Sequence, residues 1–161
     1  MIQSLVLFIW LALCAVQDIR VRQISNRLTL GAGLLALVYL LWSGTTWLGA
    51  PAAEGGWAFA LALLFTLPGY ALGRLGAGDV KLIAALALAS NHLYVLGTFI
   101  GAGLASAAWL LLAPRLWPLM NQGLRNTLQY LHPTRSAKQP FVPFLLIGFC
   151  LTWIWIPLVA R

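Results

Sequence analysis

The chain has 161 residues, 61% of them hydrophobic and only 8% charged, with ten Lys and Arg against three Asp and Glu for a net charge of +7. A soluble domain of this size needs far more charged surface, and the apolar residues come in long blocks, which reads as a single all-α, polytopic membrane domain over 1–161. The short alternating segments of a membrane β-barrel are missing, and the basic residues stand singly in loops instead of gathering on one face, which argues against nucleic-acid binding.

The first apolar block covers about 2–18 and ends on Asp18. No basic residues precede it, and Leu11-Ala12-Leu13-Cys14 puts a bulky residue where a cleavage site needs a small one, so it reads as a retained helix and not a removable signal. A basic loop with Arg20, Arg22 and Arg27 leads to a second helix over about 28–43, and a connection carrying Glu54 but no Lys or Arg leads to a third over 57–73. Gly76 and Gly78 then turn the chain tightly into a fourth helix, 79–91, that opens on Asp79. That helix is short against the about 20 residues a crossing needs, so it is tilted, extended or buried among its neighbours. The fifth covers 93–113 and carries Gly97, Gly101 and Ala105 as a small-residue stripe for helix packing. The sixth covers 141–159. Between the last two, Leu116, Met120, Leu124 and Leu128 recur every four residues, which predicts an amphipathic helix lying in the cytoplasmic interface.

Loop charges set the orientation. The loops after the first, third and fifth helices hold Arg20, Arg22, Arg27, Arg74, Lys81, Arg115, Arg125, Arg135 and Lys138, and those after the second and fourth hold none. Positive residues mark the cytoplasmic side, so six crossings with both termini outside are expected. This parity puts Asp18 and Asp79 together at the cytoplasmic boundary and strands Glu54 on the other side. Cys14 and Cys150 lie inside apolar blocks, without metal-ligand spacing and with no disulfide expected. His92 and His132 fall in loops on opposite sides and receive no role.

Singly, each charged residue has an ordinary explanation. Asp79 after a glycine is a helix cap, Asp18 beside Arg20 and Arg22 is an exposed ion pair, and Lys81 is a topology charge. Jointly, two of only three acids sit on one face at one depth. Two carboxylates brought together share a proton, and such a pair hydrolyses a peptide bond with no metal and no cofactor: one takes a proton from water while the other polarises the carbonyl.

Gly76-Ala77-Gly78-Asp79-Val80-Lys81 resembles the G-x-G-D-x-K signature of the prepilin peptidases, the GxGD aspartic proteases. Asp18 through Asn26 resembles their other segment, an Asp followed by a basic loop ending in Ile-Pro-Asn, and Ser25 stands where that pattern has Pro, a departure expected to loosen the turn. Phe141-Val142-Pro143-Phe144 is weakly similar to the stretch that opens the family's last helix. The resemblance implies that Asp18 and Asp79 are the catalytic dyad of an inner (cytoplasmic) membrane enzyme. Its implied partner is a prepilin or pseudopilin precursor, cleaved after a glycine on the cytoplasmic side. Bifunctional members carry a cytoplasmic insertion with Cys-x-x-Cys pairs and also N-methylate. This chain has neither, and looks like the short, peptidase-only type of tight-adherence (Flp) pili.

Supporting roles are expected for Gly76 and Gly78, which let an extended substrate lie close to the backbone, and for Lys81, which would orient a lipid phosphate or an acidic residue of the substrate. Asn26 and Gln17 are expected to hydrogen-bond near Asp18. Two other readings use the same residues: a GxGD protease of another substrate class, such as preflagellin or signal-peptide remnants, and a non-enzymatic transporter or pilus-assembly subunit. A proton path would stagger its acids in depth, whereas these two share a level.

Overall fold

The structure, a computed structural model, describes residues 2–132 and 140–159, so the loop charges Arg135 and Lys138, together with Arg161, lie outside the described residues. Six principal helices form: α1 (Ile2–Val21), α2 (Asn26–Ser43), α3 (Ala52–Ala71), α4 (Ala77–Ala89), α5 (His92–Leu116) and, after the short α6 (Gln122–Thr127), α7 (Val142–Val159). No strand occurs among the described residues.

Caps, not hydropathy, set the ends. Ser25 starts α2 by accepting the Arg27 N–H at 3.3 Å, and Gly44 ends it at φ 70° with its N–H on the Leu40 carbonyl. Asn91 starts α5 by accepting the Tyr94 N–H at 3.0 Å. The helices therefore outrun their apolar blocks. α1 continues three residues past Asp18, and α3 begins at Ala52 instead of Trp57. Gly55, expected in a loop, lies inside α3, where a side chain would meet Leu40 and Thr46 at 2.9 and 2.8 Å.

The amphipathic helix expected between 116 and 131 does not form as one piece. Trp117–Leu119 and Gln129–Leu131 are 3-10 turns on either side of α6, and Met120 is extended at ψ 141°. Pro118 lacks the N–H that a continuing helix needs, and Asn121 restarts the chain by capping Gln122 at 2.7 Å. The resulting strap is tied down by Trp109 Nε1, which donates to the Leu131 carbonyl at 3.0 Å.

The six principal helices run between two ends of one bundle. At one end, Gln3 meets Trp47, the Leu48 N–H caps the Ala89 carbonyl, and Glu54 faces His92 at 3.6 Å. At the other end lie the 22–25 turn, the start of α4, the strap and the start of α7. α7 packs antiparallel against both α5 and α1, while α4 lies between α2 and α3. Small residues set these approaches: a side chain at Gly148 would strike the Thr98 carbonyl and the Ala102 amide of α5, and one at Gly97 would strike Thr152. The Gly97 and Gly101 stripe thus faces α7, where close backbone contact supplies the packing that a lipid solvent cannot drive by hydrophobicity.

The outward faces carry large apolar side chains such as Leu35, Leu41, Trp42, Leu111 and Trp155. α1, α2, α3 and the segment His92–Leu119, which is α5 with the 3-10 turn after it, are each long and apolar enough to cross a membrane, and Val142–Ile156 is a shorter apolar helix. α4, with 13 residues, is almost wholly buried from Leu82 to Ala89. The chain is an all-helical membrane protein.

Candidate active site

Asp79 owes its position to the turn before it. Gly73, at φ 67°, reverses the chain after α3, and the Arg74 and Leu75 amides bond back to the Gly69 carbonyl at 2.9 and 3.0 Å. Gly76 is then extended and caps α4, and Asp79, in the first turn, reaches back to accept the Gly76 N–H at 2.9 Å. The left-handed turn is made by Gly73, not by the two glycines of the motif. Gly76 serves the acid more directly: a Cβ there would lie 3.2 Å from Asp79 Oδ2. Gly78 faces Ile24 at 3.4 Å, an ordinary contact with the α1–α2 turn.

Asp18 lies in the last turn of α1 and is buried, 6% exposed, below Cys14 and Leu11 on the same helix face. The exposed ion pair considered for it is not present: Arg20 points to solvent, and Asp18 Oδ2 instead accepts the Val142 N–H at 3.1 Å, at the start of α7. A buried carboxylate needs such donors, and a helix N-terminus offers them with a favourable dipole.

Asp18 and Asp79 border one cavity of about 320 Å³, together with Val21, Arg22, Gln23, Arg74, Gly76 and Pro140. That volume holds on the order of ten waters at about 30 Å³ each. Asp79 stands at the mouth of α4, outside the four long spans, and its burial pushes the carboxyl up to about 6, with the Gly76 N–H opposing and the charge of Asp18 adding to the rise. A carboxyl raised this far holds its proton up to about pH 6, beside a second carboxylate, and the pair offers an acid and a base to one cavity.

The supporting residues divide. Lys81 Nζ donates to Asn26 Oδ1 at 3.0 Å, which ties α4 to the start of α2 on the exposed rim. Asn26 is thereby turned to Lys81 and makes no bond to Asp18. Gln17 accepts the Ser25 N–H at 3.1 Å and so staples the turn after Asp18. Ser25, expected to loosen that turn, therefore tightens it with an amide that proline lacks. His92 opens α5 opposite Glu54, and His132 meets the Trp117 ring edge-on at 4.6 Å. Among the described residues no group of three or more His, Cys, Asp or Glu gathers as a metal site would.

The sequence does not reveal Val142 as a site residue, and it does not show Arg22 at the cavity. Arg22 reads there as a loop charge or an exposed ion-pair partner of Asp18, and the Val142 contribution is a backbone amide, which no side-chain pattern announces. The one local signal is Phe141-Val142-Pro143-Phe144, which stands out for its resemblance and not for its N–H groups.

An all-helical membrane bundle with two acids at one cavity fits a membrane-embedded hydrolase. Residues 5–111 match the model of the type IV leader peptidase family, two thirds of the chain and both acids included, and the chain belongs to that family. Its members are peptidases of prepilin leaders. No curated protein and no solved structure matches the chain.

Proposed function

We propose that this protein is an intramembrane aspartic endopeptidase that removes the leader of Flp-type prepilins after a glycine, on the cytoplasmic side of the inner membrane, with Asp18 and Asp79 as the dyad. The observation that supports this most is their meeting at one cavity from two different helices, in a chain with only one other acid. The positive loop residues favour the same side: Arg20, Arg22, Arg27, Arg74, Lys81 and Arg125 all belong to the end of the bundle that holds the dyad. Under this reading both termini lie outside and the six principal helices alternate across the bilayer.

The proposed chemistry is hydrolysis by a carboxyl pair with one shared proton. The ionised member takes a proton from water, and the oxygen attacks the scissile carbonyl while the protonated member donates to the carbonyl oxygen. The tetrahedral adduct then collapses: the C–N bond breaks, the amine leaves with the proton first taken from water, and one hydroxyl of the adduct returns its proton to the carboxylate that had donated, which restores the one-proton pair. The cavity lies at the membrane boundary, so water reaches it from one side and a transmembrane substrate from the other. N-methylation is outside this reading, because the chain lacks the cysteine-bearing insertion of bifunctional members.

The test is co-expression with a Flp-type prepilin and mass spectrometry of the product N-terminus, comparing native protein, Asp18→Asn and Asp79→Asn at matched abundance. Leader removal after glycine by the native protein alone supports both dyad and substrate class. Cleavage by the variants at native level overturns the aspartic mechanism, and no cleavage by any form overturns the Flp assignment.

A further inference from the structure

The two carboxylates do not stand in equivalent surroundings. Both meet a helix N-terminus, Asp79 in the first turn of its own α4 and Asp18 against the first turn of α7, so amides favour an anion at either. The charged neighbours differ. Arg22 lies one turn beyond Asp18, borders the cavity, and its charge acts on Asp18, whereas the charge acting on Asp79 is that of Asp18.

Arg22 is also held with unusual definition for a loop arginine. Among the described residues it is the one non-glycine residue with left-handed backbone, at φ 55°. Its N–H bonds the Asp18 carbonyl at 2.9 Å, and its guanidinium carbon sits 5.2 Å over the Tyr130 ring. Tyr130 belongs to the strap turn whose neighbour Leu131 is buried and bonded to Trp109. Among the described residues, the other groups around Asp18 are Cys14 one turn back on α1, Asp79 on α4 and Arg74 in the turn before it, while the start of α7 presents the backbone N–H groups of Phe141 and Val142. Arg74 is exposed and Arg22 half-buried, so Arg22 is the cation less screened by water.

We infer that Arg22 is a positioning residue: its guanidinium, held over Tyr130, keeps the single negative charge of the Asp18–Asp79 pair on Asp18 and leaves the shared proton on Asp79. The inference rests on the dyad reading above and deepens it. Asp18 then takes the proton from water, and Asp79 donates to the carbonyl oxygen.

Asp18 and Asp79 are the only aspartates in the chain, so feeding aspartate labelled with carbon-13 at the side-chain carboxyl gives two resonances in the purified full chain in lipid nanodiscs. Asp18→Asn and Asp79→Asn assign them. Where the pair holds one proton, the native protein should show Asp18 at the carboxylate position and Asp79 at the carboxylic-acid position. Arg22→Asn, whose side chain tolerates left-handed backbone, should draw the two resonances together. Arg22→Lys and Tyr130→Phe should keep them apart, and Tyr130→Leu should move them part way. On a prepilin substrate, Arg22→Asn should lower kcat by roughly tenfold or more with KM little changed. Resonances unmoved in Arg22→Asn, or Asp79 found ionised in the native protein, overturn the inference. Because the resonances need no substrate, that failure is distinct from failure of the dyad reading, which shows as cleavage by the two Asp→Asn variants.

Discussion

The carboxylate of Asp18 accepts the backbone N–H of Val142 at 3.1 Å, so a side chain at the end of the first principal helix caps the start of the last, 124 residues further on. The segment that matches the family model stops at residue 111, yet one of the two acids is held by an amide well beyond that point. The last helix is thereby part of the site and not only of the wall.

Asp18→Asn keeps an acceptor for the Val142 amide, and Asp18→Ala does not. Both should abolish cleavage, but only the alanine variant should lose the cap, at a cost of about 1 kcal/mol. Thermal unfolding in detergent separates them: equal midpoints for the two variants would show that the bond contributes nothing.

Gly76→Ala brings a methyl group to 3.2 Å from Asp79 Oδ2, while Gly78→Ala meets Ile24 at 3.4 Å. Gly76→Ala should therefore cut cleavage by roughly tenfold or more through misplacement of the acid. Gly78→Ala should fall much less. Steady-state rates at matched abundance decide it, and equal losses would place the effect in the backbone turn instead.

The pH dependence is governed by Asp79, whose carboxyl stands at about 6 against an ordinary value of 3.8. Between those values the folded chain binds more protons than the unfolded one, so stability should fall as pH rises from about 4 through about 6 and then level off. Asp79→Asn should reduce that slope and be the more stable protein at neutral pH. Cleavage should show an alkaline limb near 6 as the acid member loses its proton. Thermal midpoints and kcat/KM over this range test both signs.

At the α5–α7 crossing, a side chain on Gly148 would strike backbone of the partner helix, whereas Gly103 of α5 has open space around its Cα. Gly148→Ala should destabilise by about 1–3 kcal/mol through overpacking, and Gly103→Ala should be neutral or slightly stabilising. Unfolding of the two variants side by side checks this.

Much of the site is legible in the sequence because it is local. Gly76 through Lys81 forms one turn of chain, and its acid can be read wherever the backbone goes. Loop charges likewise place Asp18 and Asp79 at one end. Contacts across the chain are not legible: Lys81 and Asn26 both stand out, yet their bond spans 55 residues and depends on how α2 lies against α4. Helix ends differ from expectation for another reason. Hydropathy marks where lipid contact stops, not where backbone hydrogen bonding stops, and so α1 runs three residues past Asp18 and α3 starts at Ala52 instead of Trp57. The interfacial helix failed on Pro118, whose missing amide outweighs a regular spacing of leucines.

α4 also bears on how the protein meets its bilayer. Thirteen residues rise about 20 Å, about 10 Å less than typical hydrocarbon thickness. Its shortfall is taken up at the end away from the dyad, where the 44–51 connection folds inward, buries Thr46 and caps the Ala89 carbonyl with the Leu48 amide. If the six principal helices cross the bilayer as proposed, hydrophobic mismatch at α4 would be absorbed by protein and not by lipid deformation around the acids.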